Sequence, residues 1–142
     1  MNNELQTQKT QPENLLFELY DNSSADKTGP LIKGVELALQ HRLYVPSINY
    51  CLREELIELK SYAALTNDHR IALAKDITTG KYVCCIYLKH WHLQSFTRKA
   101  YRKKGIARAT IKRLGKLPDE VYALGGIEGA FTFWERVGIN AF

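Results

Sequence analysis

Apolar positions along this chain alternate between strand-like and helix-like spacing. Leu15–Tyr20 is a short apolar run of strand character, and Asp21–Pro30 collects the turn formers Asp, Asn, Ser and Gly. Spacing then turns helical. Leu31, Val35 and Leu39 recur every four residues behind Pro30, which predicts a helix to about His41. A second helix is predicted over Asn49–Thr66, where Leu52, Leu56, Leu59 and Ala63 form one stripe and Arg53, Glu54, Glu58 and Lys60 lie off it. Arg70–Asp76 and Lys81–Trp91 are rich in strand formers and flank Ile77-Thr78-Thr79-Gly80, so they predict an antiparallel hairpin. Leu93–Thr97 follows as a third strand of this group, Ala107–Leu114 as a helix ended by Gly115, Val121–Leu124 as a strand, and Glu128–Val137 as a last helix stopped by Gly138. The predicted order is strand, two helices, three strands, helix, strand, helix.

This pattern fits one α/β (α+β) domain over residues 1–142, with the polar first fourteen residues frayed. The longest stretch without Asp, Glu, Lys or Arg is the ten residues Leu43–Leu52, about half of what a bilayer requires. With no secretory-type leader in Met1–Asn14, the expectation is a cytoplasmic protein that contacts no membrane. The three cysteines Cys51, Cys84 and Cys85 read as reduced packing residues. Cys84 and Cys85 are adjacent, and on a strand they would face opposite sides, so they suit neither a disulfide nor a metal pair. No metal is called for.

The net charge of +5 is unevenly placed, because residues 98–116 hold nine bases and no acid. Within that segment a strand (Leu93–Thr97) gives way to a turn, then to Arg102, Lys103, Lys104 and Gly105, then to a helix. A helix amino terminus with unpaired N–H groups, a glycine and three cations suits a phosphate or pyrophosphate. A solvated basic turn is the bland alternative.

The segment Arg102-Lys103-Lys104-Gly105-Ile106-Ala107 matches the form Q/R-x-x-G-x-G/A, and Ala130–Ile139 matches A-x-x-F-Y-x-x-x-G-F with two substitutions, about 25 residues downstream. In these two motifs, and in their order, the chain resembles the GNAT superfamily of acyl-CoA-dependent N-acyltransferases. The resemblance covers residues 70–139, and the first half only through its helix pair. It implies a mixed, mainly antiparallel sheet flanked by helices and splayed between its fourth and fifth strands. It also implies acetyl-CoA as acyl donor, with the backbone of Ser95, Phe96 and Thr97 along the pantetheine arm. Arg102 and the amides of Lys103, Lys104, Gly105, Ile106 and Ala107 would take the pyrophosphate, and Phe133 and Trp134 would flank the thiol end. The acceptor amine, on a small molecule, a protein or an aminoacyl-tRNA, would enter from the side of the early helices.

The family's usual tyrosine acid is Trp134 here, which cannot donate an acidic proton, and Tyr122 is the substitute. His92 is the candidate base, having the reference pKa suited to the task. The family's frequent asparagine is Ile127. Its sheet usually continues after the G-F pair, whereas this chain stops at Phe142, which predicts a short sheet or a second copy covering the edge. Two other readings remain open: a degenerate GNAT-fold module that binds CoA or a protein without catalysis, and a nucleic-acid-binding module in which Tyr101 stacks and the nine bases contact phosphates.

Overall fold

A computed structural model describes residues 14–22, 29–44, 52–61, 68–123 and 130–141. Among the described residues six strands form one open sheet in chain order: β1 (Leu15–Asp21), β2 (His69–Asp76), β3 (Lys81–Lys89), β4 (His92–Thr97), β5 (Tyr122–Ala123) and β6 (Asn140–Ala141). The first four are antiparallel neighbours, and β4–β5 and β5–β6 are parallel. Helices α1 (Gly29–Gln40) and α2 (Leu52–Ser61) pack on one face, and α3 (Ile106–Lys112) and α4 (Ala130–Arg136) on the other.

Burial on both faces explains the near-continuous apolar runs of β2 and β3. Ile71 and Leu73 join Leu31, Val35, Leu52 and Leu59 on the α1–α2 side, while Ala72 and Ala74 join Ile106, Ile111 and Leu114 on the α3 side. Cys84 and Cys85 also part to opposite faces, both buried and both free thiols. Each fully buried aliphatic side chain in these layers contributes about 1.5–3 kcal/mol.

One irregularity changes the phase of β3. Ala74 lies opposite Cys84 while Lys75 lies opposite Tyr82, so Val83 is an extra residue in a β-bulge. Val83 and Cys84 therefore both face α3, and Tyr82 turns to the α1 side, where Glu18 and Tyr20 of β1 wait. Without the bulge, strict alternation would put Tyr82 in the opposite layer.

Helix α1 approaches the sheet closely at Gly34. A Cβ there would lie 2.5 Å from Ile71 Cγ2 and 2.8 Å from Tyr20 Cβ. The helix ends in a Schellman-type cap, with Leu43 N–H donating to Ala38 O (2.8 Å), Arg42 N–H to Leu39 O (3.0 Å), and Arg42 in the left-handed region (φ 56°).

The strand predicted over Lys81–Trp91 stops at Lys89, because His90 takes a left-handed backbone (φ 61°) and the chain reverses through Trp91 into β4. The final strand β6 was not anticipated: beyond Gly138, Ile139 is buried and Asn140–Ala141 pairs with β5, so the sheet gains a sixth strand. The two predicted early helices are present as Gly29–Gln40 and Leu52–Ser61. The polar amino-terminal segment, Cys51, Ile127 and the outer ends predicted for the second and last helices lie outside the described residues. No helix among the described residues is long and apolar enough to cross a membrane.

Candidate functional site

Among the described residues β4 pairs with β5 at His92–Tyr122 and Leu93–Ala123, and with β3 as far as Thr97. Two hydrogen bonds fix which backbone groups face which way. Tyr122 N–H donates to Trp91 O (2.9 Å), and Arg98 N–H donates to Val83 O (2.9 Å). Odd-numbered residues of β4 thus turn their N–H and C=O toward the β5 side, and even-numbered ones toward β3. Beyond Leu93 the backbone groups of Ser95 and Thr97 consequently face an edge that no described strand occupies. Phe96 does not share this role. Its backbone faces Cys85 of β3, and only its side chain is available, on the α1–α2 face.

After β4 the chain makes a 3₁₀ turn at Lys99–Tyr101, runs extended through Arg102 (φ −76°, ψ 157°), and places Lys103 (φ 62°) and Gly105 (φ 77°) in the left-handed region before α3 begins at Ile106. Gly105 adopts this conformation at no steric cost, whereas Lys103 carries about 1–2 kcal/mol of strain. Arg102 Nε reaches back to Thr97 O (2.9 Å), and Tyr101 Oη donates to Asp76 Oδ2 (2.8 Å), so the loop is braced at both ends. The Tyr101 hydroxyl, ahead of other effects, holds the Asp76 carboxyl below its usual range. Gly105 supplies no side-chain cap, and among the described residues the amides of Ile106, Ala107 and Arg108 have no hydrogen-bond acceptor. Lys103, Lys104 and Gly105 are exposed, and the Ile106 side chain is buried, leaving its amide as the group it can offer.

At the β4–β5 junction the structure brings the two catalytic candidates together. The rings of His92 and Tyr122 are stacked with centroids 5.2 Å apart. Burial, then the Lys89 charge, pushes the His92 imidazole below the usual histidine range, so it is neutral at neutral pH.

The late helix is less obliging. Trp134 is 2% exposed within the α3-side core and presents no face to a ligand, which corrects the expectation that it flanks a thiol. Among the α4 residues whose burial is described, Trp134 alone is buried, and its ring packs with Ile139 and the α3-side core. Phe133 is only partly buried and meets Trp134 edge-on at 4.9 Å.

The α1–α2 face carries a group of residues that sequence reasoning did not single out. Glu18 Oε1 accepts hydrogen bonds from Tyr20 Oη (2.9 Å) and Tyr82 Oη (2.7 Å). Burial first, then Glu18, raises both phenols, Tyr20 to about 12. Arg98, counted in the sequence among the loop cations, is directed inward instead. Its Nε donates to Tyr82 O (2.6 Å) and its Nη2 to His41 O (2.5 Å), which joins the end of β4 to the start of β3 and to the negative end of α1. Toward the other end of the face, Lys89 Nζ lies 2.9 Å from Glu55 Oε1 and 3.1 Å from Glu58 Oε2 and ties α2 to β3. Beneath them the Tyr87 hydroxyl is buried with no hydrogen-bond partner among the described residues. The missed signal was the spacing Glu18-Leu19-Tyr20, a polar alternation inside a run read only as apolar. The bulge that brings Tyr82 to it has no sequence mark. No family model, no curated protein and no solved structure matches this chain.

Proposed function

We propose that this chain is an acyl-CoA-dependent N-acyltransferase of GNAT type, which moves an acetyl group from acetyl-CoA to an amine in a ternary complex. The observation that carries the reading is the end of β4, where the N–H groups of Ser95 and Thr97 turn to the β5 side directly before a cationic loop. An extended amide-bearing arm fits such an edge by adding to it as a strand does. The braced loop, with two left-handed residues, three exposed cations and the unclaimed amides of Ile106 and Ala107, suits a pyrophosphate. Acetyl-CoA would supply a thioester carbonyl and a leaving group whose thiol reference pKa is about 8.5.

The chain's own groups then have definite tasks. Neutral His92 accepts the proton that the acceptor ammonium must lose before its nitrogen attacks the carbonyl carbon. Tyr122, stacked on it, donates the proton of its hydroxyl to the departing sulfur as the C–S bond breaks and the C–N bond forms. Phe96, Tyr82 and Glu18 line the side from which the acceptor enters.

Titration calorimetry with acetyl-CoA tests the reading. Arg102→Ala and Gly105→Glu should each weaken binding about tenfold or more, a change of about 1.4 kcal/mol. Unchanged affinity in both variants would refute it. A second reading, a CoA-binding module without catalysis, is favoured by buried Trp134 in place of the usual tyrosine. It predicts the same binding with no thiol release across a panel of amines.

A further inference from the structure

Residues 98–116 contain nine bases, and with Arg98 turned inward the other eight are exposed. Among the described residues none of these eight forms an ion pair with a carboxylate. They also extend past the loop. Arg108 and Lys112 lie one turn apart on the outward surface of α3, about 6 Å along its axis, with Lys104 in the loop before it and Lys116 beyond its end. Arg113 borders these cations with its guanidinium 4.6 Å above the Phe17 ring.

Packing does not account for these cations. The inward residues Ile106, Thr110, Ile111 and Leu114 seat α3 on the sheet, and like charges one turn apart repel by a few tenths of a kcal/mol per pair. One pyrophosphate at the loop would leave Arg108, Lys112, Arg113 and Lys116 unused. Eight exposed cations spread over the loop, the helix and the turn beyond it complement an anion that repeats, and the polymer with that property is a phosphodiester chain.

We infer that the outward face of α3, continued by Lys116, is a binding surface for the phosphate backbone of a nucleic acid. Recognition there is of phosphates and not of bases. Tyr101, the one aromatic residue in the segment, is held by its hydroxyl to Asp76, and Lys104 Nζ lies 5.6 Å above its ring, so it is not a free stacking platform. A bilayer is a poorer fit. Among the described residues the exposed large hydrophobic side chains, Leu16, Leu19, Ile57, Ile77 and Trp91, all lie outside residues 98–116, so that segment has nothing to insert.

Fluorescence anisotropy with a labelled 20-base-pair duplex, as DNA and as RNA, and flotation with anionic vesicles test the surface over a salt series. For DNA, four to five phosphate contacts give a slope of log K against log salt of about −4. The triple variant Arg108→Ala, Lys112→Ala, Lys116→Ala should flatten the slope by about 3, and the single Lys112→Ala by about 1. The charge-retaining triple Arg108→Lys, Lys112→Arg, Lys116→Arg should bind as the unmodified chain does, and all variants should keep its acetyl-CoA affinity. That last arm separates this surface from the acyl-CoA site, since either can fail without the other. Binding to either duplex with these slopes supports the inference, and the tighter duplex names the nucleic acid. No binding of either duplex at 50 mM salt, an unchanged slope in the triple alanine variant, or tighter binding to vesicles than to both duplexes overturns it.

Discussion

Gly34→Ala sets two known effects against each other, and the structure decides the sign. Alanine improves helix propensity by about 0.8–1.0 kcal/mol over glycine inside a helix. Against this, the new Cβ would meet Ile71 Cγ2 at 2.5 Å and Tyr20 Cβ and Cδ2 at 2.8 Å. Neither neighbour yields easily: Ile71 is β-branched and fully buried in β2, and Tyr20 Cβ is fixed to the backbone of β1. Overpacking of this kind costs about 1–3 kcal/mol, and stiff neighbours place it in the upper part of that range. The net expectation is a loss of about 1–2 kcal/mol, which corresponds to a drop of about 3–8 °C in Tm for a chain of this size. Urea unfolding followed by far-ultraviolet circular dichroism should show a lower midpoint at unchanged m. Pairing with Ile71→Ala, which removes the obstructing methyl, should recover part of the loss in a double-mutant cycle. A midpoint equal to or above that of the unmodified protein would mean that α1 does not press on the sheet at this point, and the reasoning would fail.

Arg98→Met should cost about 2–4 kcal/mol, because two charge-assisted hydrogen bonds, to Tyr82 O and His41 O, are lost from a half-buried site, and the urea midpoint reads it directly. Tyr20 and Tyr82 have folded pKa values raised above the unfolded value near 10, so their contribution is complete below that pH and is lost progressively above it, for Tyr20 between about 10 and about 12. In Glu18→Gln the decline should be shallower but present, since burial is the larger cause; ultraviolet phenolate titration alongside alkaline unfolding checks both. Burial also raises the Cys84 and Cys85 thiols, so in a Cys51→Ser background neither should react with a disulfide reagent until urea unfolds the chain, and rapid labelling in native buffer would contradict the assignment. Amide exchange along β4 should alternate, fast at Ser95 and Thr97 and slow at Gln94 and Phe96, with saturating acetyl-CoA slowing the fast pair alone.

Much of the fold was legible because long periodic segments state their own period. Leu31, Val35 and Leu39 gave α1, and the doubly buried β2 and β3 announced themselves by unbroken apolar runs. The losses occurred where tertiary context outweighs local pattern. A positive φ at His90 is invisible among strand formers, and a two-residue strand such as β6 carries no period at all. At the site, Gly105 and the basic loop could be read from composition, because glycine and cations have few other uses in that arrangement. Which cations face outward could not. Arg98 and Lys99 are neighbours in one basic run, yet the first is claimed by carbonyls of β3 and α1 and the second is exposed. Trp134 was misjudged for a related reason, since a motif records residue type and not whether the ring is covered.

The bulge at Val83 lets β3 hold one residue more than its partner strand while Tyr82 keeps its place opposite Lys75. Removing that single residue would still allow β2 and β3 to pair, and a fold comparison would register almost no change. Cys84 would keep its place opposite Ala74 and Tyr82 its place opposite Lys75, so Tyr82 would still face α1 and Glu18 would keep both phenolic donors; the loss would fall on the α3-side core, which gives up the Val83 side chain. In a relative of this chain, a one-residue gap between positions 82 and 84 should therefore leave Glu18, Tyr20 and Tyr82 together and be answered by a larger side chain on the α3 side.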